Sequence, residues 1–240
     1  MTTIPNLLYK FMPAVHAKSS ICQKRLKISI LSELNDPFEW VPAIIDGSGA
    51  PLKEAKEVRD KFHSQLEKKW GMICMSRTIE ELLLWSHYGD SHKGMALAFS
   101  FPESSDVVKV EYTKERLSID LQNGGELGPA LHKAFKQLLG HKHEGWSYEQ
   151  EYRFVVPVDK ATKEDGHFWK ELPEEYLSGV VLGCLCPVTE DDMKHFLLEH
   201  EFKTVAVSRA KMNPRNYTMC IQHSSYCKDG VDASPGSTEA

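Results

Sequence analysis

Between residues 52 and 70, apolar side chains at Ala55, Val58, Phe62, Leu66 and Trp70 recur three or four apart with charge between them. That period predicts an amphipathic helix whose stripe is core. From residue 94 to 101 the period changes: Met95, Leu97, Phe99 and Phe101 alternate with smaller residues, as in a strand with one buried face. The same reading predicts strands over 7–11, ended by Pro13, and over 26–31, 71–76, 107–112, 152–158, 179–184, 205–209 and 217–221. Helices are predicted over 19–25, over 80–88 with Gly89 as a left-handed terminator, over 127–139 after the Gly124-Gly125 loop, and over 190–199 with Thr189 and Asp192 as a capping pair. Asn35-Asp36-Pro37-Phe38-Glu39 reads as a turn, because Asn and Asp bond local backbone groups and Pro37 biases its predecessor away from helix.

Several strands with about four helices, lacking regular βαβ alternation, predict a mixed α+β fold on a mainly antiparallel sheet. One domain over 1–222 is expected, followed by a disordered tail rich in Ser, Gly, Asp and Pro over 223–240.

Composition narrows the class. In 240 residues, 41% are hydrophobic and 26% charged, enough to build a core and too ordinary for a disordered or fibrous chain. No apolar run approaches the roughly 20 residues a membrane helix needs, so no membrane partner is expected and a cytoplasmic location is. The six cysteines lack CxxC spacing, which argues against a structural metal and for reduced thiols. A net charge of −5 gives no global attraction to nucleic acid but leaves a nucleic-acid partner open.

Two segments concentrate polar chemistry. If residues 149–155 are extended, Glu149, Glu151, Arg153 and Val155 share one face, and Tyr148, Tyr152 and Phe154 the other. Two carboxylates and a guanidinium would then meet; a salt-bridged solvent face would give the same pattern. Residues 84–94 pack Trp85, Ser86, His87, Tyr88, Asp90, His92 and Lys93 around a glycine-bounded helix end, as a ligand-facing loop requires. Adjacent Ser86 and His87 point apart on a helix, against a nucleophile pair, and His87 with His92 lacks a third metal ligand. The turn at 35–39 and the pair Tyr9-Lys10 are further candidates, though ordinary turn and first-strand roles account for them more readily.

In order, Leu8-Tyr9-Lys10-Phe11, Asn35 to Glu39, Cys74-Met75-Ser76, Trp85-Ser86-His87-Tyr88 with His92-Lys93-Gly94, and Trp146 to Glu149 with Glu151-Tyr152-Arg153 resemble the mostly bacterial domain of unknown function 2971, across residues 7–221. More distantly, the first strand, the second strand with Ser29 and the late Glu149-x-Glu151 resemble the layout of ADP-ribosyltransferases, although Tyr9-Lys10 stands where those enzymes carry His or Arg and no Ser-Thr-Ser motif is present. That resemblance implies an ADP-ribosyltransferase-like fold and NAD as substrate. Glu151 is then catalytic with Glu149 beside it, and Tyr9, Lys10, Ser29, Trp85, His87, Tyr88 and Arg153 bind the nucleotide. It also implies a toxin or defence effector, with room for a cognate immunity partner. The acceptor is open among protein, nucleic acid, small molecule and water. Two alternatives are carried: a non-catalytic module binding a small molecule or partner, and a hydrolase using His87 with Glu151 as an acid–base pair.

Overall fold

Apolar residues at alternate positions on successive strands assemble an eight-stranded sheet. Its order is β15 (Met219–Ile221), β14 (Ala206–Met212), β13 (Leu177–Leu182), β5 (Met95–Phe99), β1 (Leu8–Met12), β4 (Trp70–Ser76), β10 (Glu151–Pro157) and β6 (Val108–Lys109). Only the β13–β14 pair among these is parallel, bridged by helix α4 (Glu190–Glu199); the fold is mixed α+β on a mainly antiparallel sheet. The chain is seen in a computed structural model that describes residues 7–46, 48, 55–102, 107–121, 135 and 137–221. The expected tail, the Gly124-Gly125 loop and most of the helix at 127–139 lie outside those residues; 137–140 are helical.

One face of the sheet carries Leu8, Met12, Ile73, Met75, Leu97, Phe99 and Tyr152, all buried in one cluster with Ile21 of α1 (Ala14–Cys22) and Met193 and Leu197 of α4. The opposite face bears two separate apolar patches. Phe11, Ala96 and Val181 pack with Leu84 and Trp85 of α3 (Leu82–His87). Met72 packs with Leu31, Trp40, Leu139 and Leu66 of α2 (Ala55–Glu67). Between the patches, strand register places Tyr9 beside Ser76 and Ser76 beside Glu151, so a polar island interrupts the core there.

Some local expectations shift. The first helix spans Ala14–Cys22 rather than 19–25, because Pro13 suits the N-cap position and not an earlier strand's continuation. Trp70 leaves the helical stripe and opens β4, since α2 stops at Glu67. The strand expected over 107–112 divides into β6 and β7 (Glu111–Thr113), which pair with different neighbours: β6 with β10, and β7 in parallel with β9 (His141–His143). Strand β2 (Arg25–Ile28) pairs with β12 (His167–Glu171), which pairs with β11 (Thr162–Glu164); β3 (Ala43–Asp46) runs parallel to β8 (Ser118–Leu121). These small sheets join short, polar or distant segments that carry no clear period. Cys220 is disulfide-bonded, against the expectation that every thiol is reduced; Cys22, Cys74, Cys184 and Cys186 are free.

The end of α3 is fixed by close backbone approach, not by a left-handed Gly89. Asp90, Ser91 and His92 take φ of 50°, 50° and 68°, and Gly94 N donates to Gly89 O at 2.7 Å. A Cβ on Gly94 would stand 2.3 Å from Met12 O, and one on Gly183 would stand 2.1 Å from His92 O. Gly94→Ala is therefore expected to destabilise the protein by about 1–3 kcal/mol in urea denaturation. Gly179→Ala, whose Cβ would meet nothing closer than 3.5 Å, should be neutral or slightly stabilising.

Candidate functional site

The site grows from β10. Gln150 takes φ 45°, ending a 3-10 segment at Glu149 and opening the strand at Glu151. Glu149 is thus outside the strand, contrary to the extended reading of 149–155. The left-handed turn nonetheless brings its carboxylate to the same place as that of Glu151. From Glu151 onward the alternation holds: Tyr152 and Phe154 join the core on one face, while Glu151, Arg153 and Val155 point to the other. That second face is buried, so the ions are not a solvent-facing ladder.

Arg153 has no exposed surface. Its Nε and Nη2 donate to Glu151 at 2.9 and 2.8 Å, its Nη1 and Nη2 to Glu39 at 3.0 and 2.7 Å, and its Nη1 also to Leu139 O at 3.0 Å. Those bonds match the five N–H groups of a guanidinium. Lys142 supplies the second cation, with Nζ 2.7 Å from Glu149, 3.2 Å from Glu39 and 3.5 Å from Glu151. Tyr88 donates to Glu149 at 2.5 Å and accepts from Asn35 at 2.6 Å. Burial of several charges is tolerable only because each finds an opposite charge and hydrogen bonds.

The two carboxyls are driven apart. Burial pushes Glu151 up, but Arg153 and Lys142 more than offset it and hold the group at about 2. For Glu149 burial prevails over Lys142, and its pKa rises. Burial lowers Lys142, yet Glu151, Glu39 and Glu149 together raise it above its ordinary value. The Cys74 thiol is driven well up by burial and by the Glu151 carboxylate.

A cavity of about 260 Å³ opens over this cluster. Tyr9, Lys10, Ser29, Tyr88, Glu149 and Glu151 all line it. The opening exists because β1 meets β4 at Tyr9 and Ser76, whereas the other end of β4 pairs Met72 with Ser29. Lys10 reaches into that gap, donating to Cys74 O at 3.3 Å; burial lowers its pKa despite Cys74 and Glu151. Burial, with Glu80 adding to it, raises Tyr9.

Three residues expected to bind nucleotide lie elsewhere. Trp85 is fully buried in the core, with its indole N–H on Ile79 O at 2.8 Å and its ring 4.9 Å from Phe11. His87 is exposed, pairs with Tyr148 at 3.0 Å and is not in the lining of the cavity that Glu151 lines. Arg153 lies beneath the wall and holds Glu151 and Glu39. Lys142 carried no signal of its own in the sequence. Charge balance was the available clue, since Glu39, Glu149 and Glu151 around one arginine require another cation.

A family model described as "Protein of unknown function (DUF2971)" matches residues 84–154, which covers the last part of α3, the turn at 89–94, Lys142 and the Glu149–Arg153 segment. Over that stretch the chain is similar to the DUF2971 family, and the stretch is shorter than residues 7–221. No curated protein and no solved structure matches. Among the described residues no helix is long and apolar enough to cross a membrane.

Arg153→Met is expected to destabilise the fold by about 3–5 kcal/mol in equilibrium denaturation, because Glu39 and Glu151 lose their bidentate partner while still buried. The pH dependence has two signs. Glu151, held near 2 against an ordinary 4.5, contributes stability above pH 4.5 that is lost as pH falls toward 2. Glu149, raised, contributes below its unfolded pKa and loses that contribution as pH rises through the folded one. Stability measured from pH 7 to pH 2 should therefore fall less steeply in Glu151→Gln than in the wild type.

Proposed function

We propose that the cavity is the catalytic centre of an enzyme that cleaves the nicotinamide–ribose bond of NAD and transfers ADP-ribose to an acceptor. The observation that carries this reading is the pair Glu149 and Glu151, two carboxyls of opposite proton affinity in the wall of a cavity lined by Tyr9, Lys10, Ser29 and Tyr88. Such divergence is how neighbouring carboxyls take separate acid–base and electrostatic roles. The volume lies just below the roughly 300–1,000 Å³ of pockets that enclose drug-sized ligands, which suits a nucleoside-sized moiety.

In this reading the C1′–N bond breaks and its electron pair passes to the nicotinamide nitrogen. Positive charge develops on the ribose, opposite the ionised, rigidly held Glu151 carboxylate. The acceptor's nucleophilic atom bonds to C1′, and its proton passes to Glu149, whose raised pKa suits a general base. Tyr9 or Tyr88 offers a ring to the nicotinamide, and Lys10 and Lys142 are the cations lining the cavity. Trp85 and Arg153 take no direct part. Glu39, Lys142 and Arg153 serve by fixing the carboxylates.

A second reading has its own observation: both oxygens of Glu151 are already engaged by Arg153, and the residue is only 5% exposed. A cluster so satisfied suits a binding module in which the ions hold the pocket's shape. Purified protein incubated with adenylate-labelled NAD, alone and with cell lysate, separates the two. The catalytic reading expects nicotinamide release that falls about a hundredfold or more in Glu149→Gln and in Glu151→Gln, with circular dichroism showing both variants folded. NAD binding without release would favour the module; neither binding nor release would end the NAD assignment.

A further inference from the structure

A second cavity, about 540 Å³, flanks the same Glu39–Lys142 pair, both of whose residues also line the inner one. Its wall differs in kind. Phe38, Trp40 and Trp146 contribute aromatic surface, with Leu117 and Leu138 between them. Phe38 leaves 62% of its surface exposed in the cavity lining, so its ring is open to a flat ligand. The Arg116 guanidinium sits 5.2 Å from the centre of the Phe38 ring and is anchored by an Nε bond to Val41 O at 2.7 Å. Lys142 Nζ lies 4.9 Å from the centre of the Trp146 ring.

The charges around this wall are unevenly committed. Asp36 accepts from Phe38 N at 2.9 Å, and Glu39 is held between Arg153 and Lys142. Lys114 lies in the lining with 76% of its side chain exposed, and among the described residues its ion-pair contact is to Glu144 at 3.9 Å. The aromatic wall thus adjoins an exposed lysine and a guanidinium already placed over a ring; of its three carboxylates Asp36 and Glu39 are buried, and Glu115 is exposed between the two cations in sequence. A planar base with one attached anionic group matches that set: ring on ring, phosphate toward Lys114 and Arg116.

We propose that this outer cavity is a binding site for a nucleoside monophosphate, separate from the Glu149–Glu151 cavity. It holds whether or not NAD is the substrate of the inner cavity, because mononucleotide binding is read without turnover. If both assignments hold, the two cavities receive the two ends of one dinucleotide on either flank of the Glu39–Lys142 pair.

Titration of the full chain with AMP, followed by calorimetry, tests it, with adenosine and inorganic phosphate as partial ligands. The expected result is saturable AMP binding that weakens at least about fivefold in Phe38→Ala, as loss of a base-stacking ring requires, and weakens also in Lys114→Glu. Adenosine should bind more weakly than AMP, and the loss of AMP affinity should be larger in Phe38→Ala than in Lys10→Ala, whose side chain lines the inner cavity. Phe38 and Lys114 are exposed, so neither change threatens folding. Absence of saturable AMP binding at millimolar concentration would overturn the proposal. So would binding that Lys10→Ala abolishes and Phe38→Ala spares, which would put the nucleotide in the inner cavity, or binding that inorganic phosphate reproduces in full, which would leave the aromatic wall without a role.

Discussion

A guanidinium with no exposed surface joins three distant parts of the chain. Arg153 binds Glu39 in the turn after the first strands, Leu139 at the end of a helical stretch, and Glu151 on its own strand. Each bond satisfies a group that burial would otherwise leave exposed to a low dielectric, and each also fixes where its segment lies. The second apolar patch on that face, with Trp40 and Leu139 as members, sits over Met72 because the chain on both sides of it is held by this one residue.

Lys142 extends the same constraint toward the cavity. One ammonium meets Glu39, Glu149 and Glu151, so the position of each carboxylate depends on the other two. Their proton affinities follow from unequal shares of positive charge. Glu151 touches both cations and stays ionised; Glu149 touches Lys142 alone, together with the Tyr88 hydroxyl, and burial dominates. The arrangement is rigid where chemistry would need a fixed charge and softer where it would need a proton to move.

The opposite wall depends on packing rather than charge. Trp85 fills the core under α3, and the backbone contacts of Gly94 and Gly183 lock the turn that follows. Tyr88, one residue past the end of α3, is thereby carried to Glu149. Two unrelated devices, an ion cluster and a close-packed turn, position the two sides of one cavity.

Much of this was legible in the residues themselves. Period-two and period-3.6 patterns located β4, β5, β10, β13 and α4 to within a few residues, because burying one face imposes those periods locally. The alternation of Glu151, Arg153 and Val155 against Tyr152 and Phe154 was likewise local, as were the polar densities at Tyr9-Lys10 and 84–94. What sequence could not decide was which of those polar groups face one another. Trp85 and His87 sit within three residues of Tyr88, yet only Tyr88 reaches the cavity, since a helix turns neighbouring side chains in different directions. Glu39 and Lys142 join the cluster from segments with no periodic signal, brought there by β9, the turn at 36–39 and the demand that buried carboxylates find cations. The sequence by itself determined the main strands and helices and the faces they bury. Tertiary structure alone decided that Arg153 is a strut, that Lys142 is its partner, and that two cavities share one ion pair, because charge pairing in a low dielectric acts across space without regard to separation along the chain.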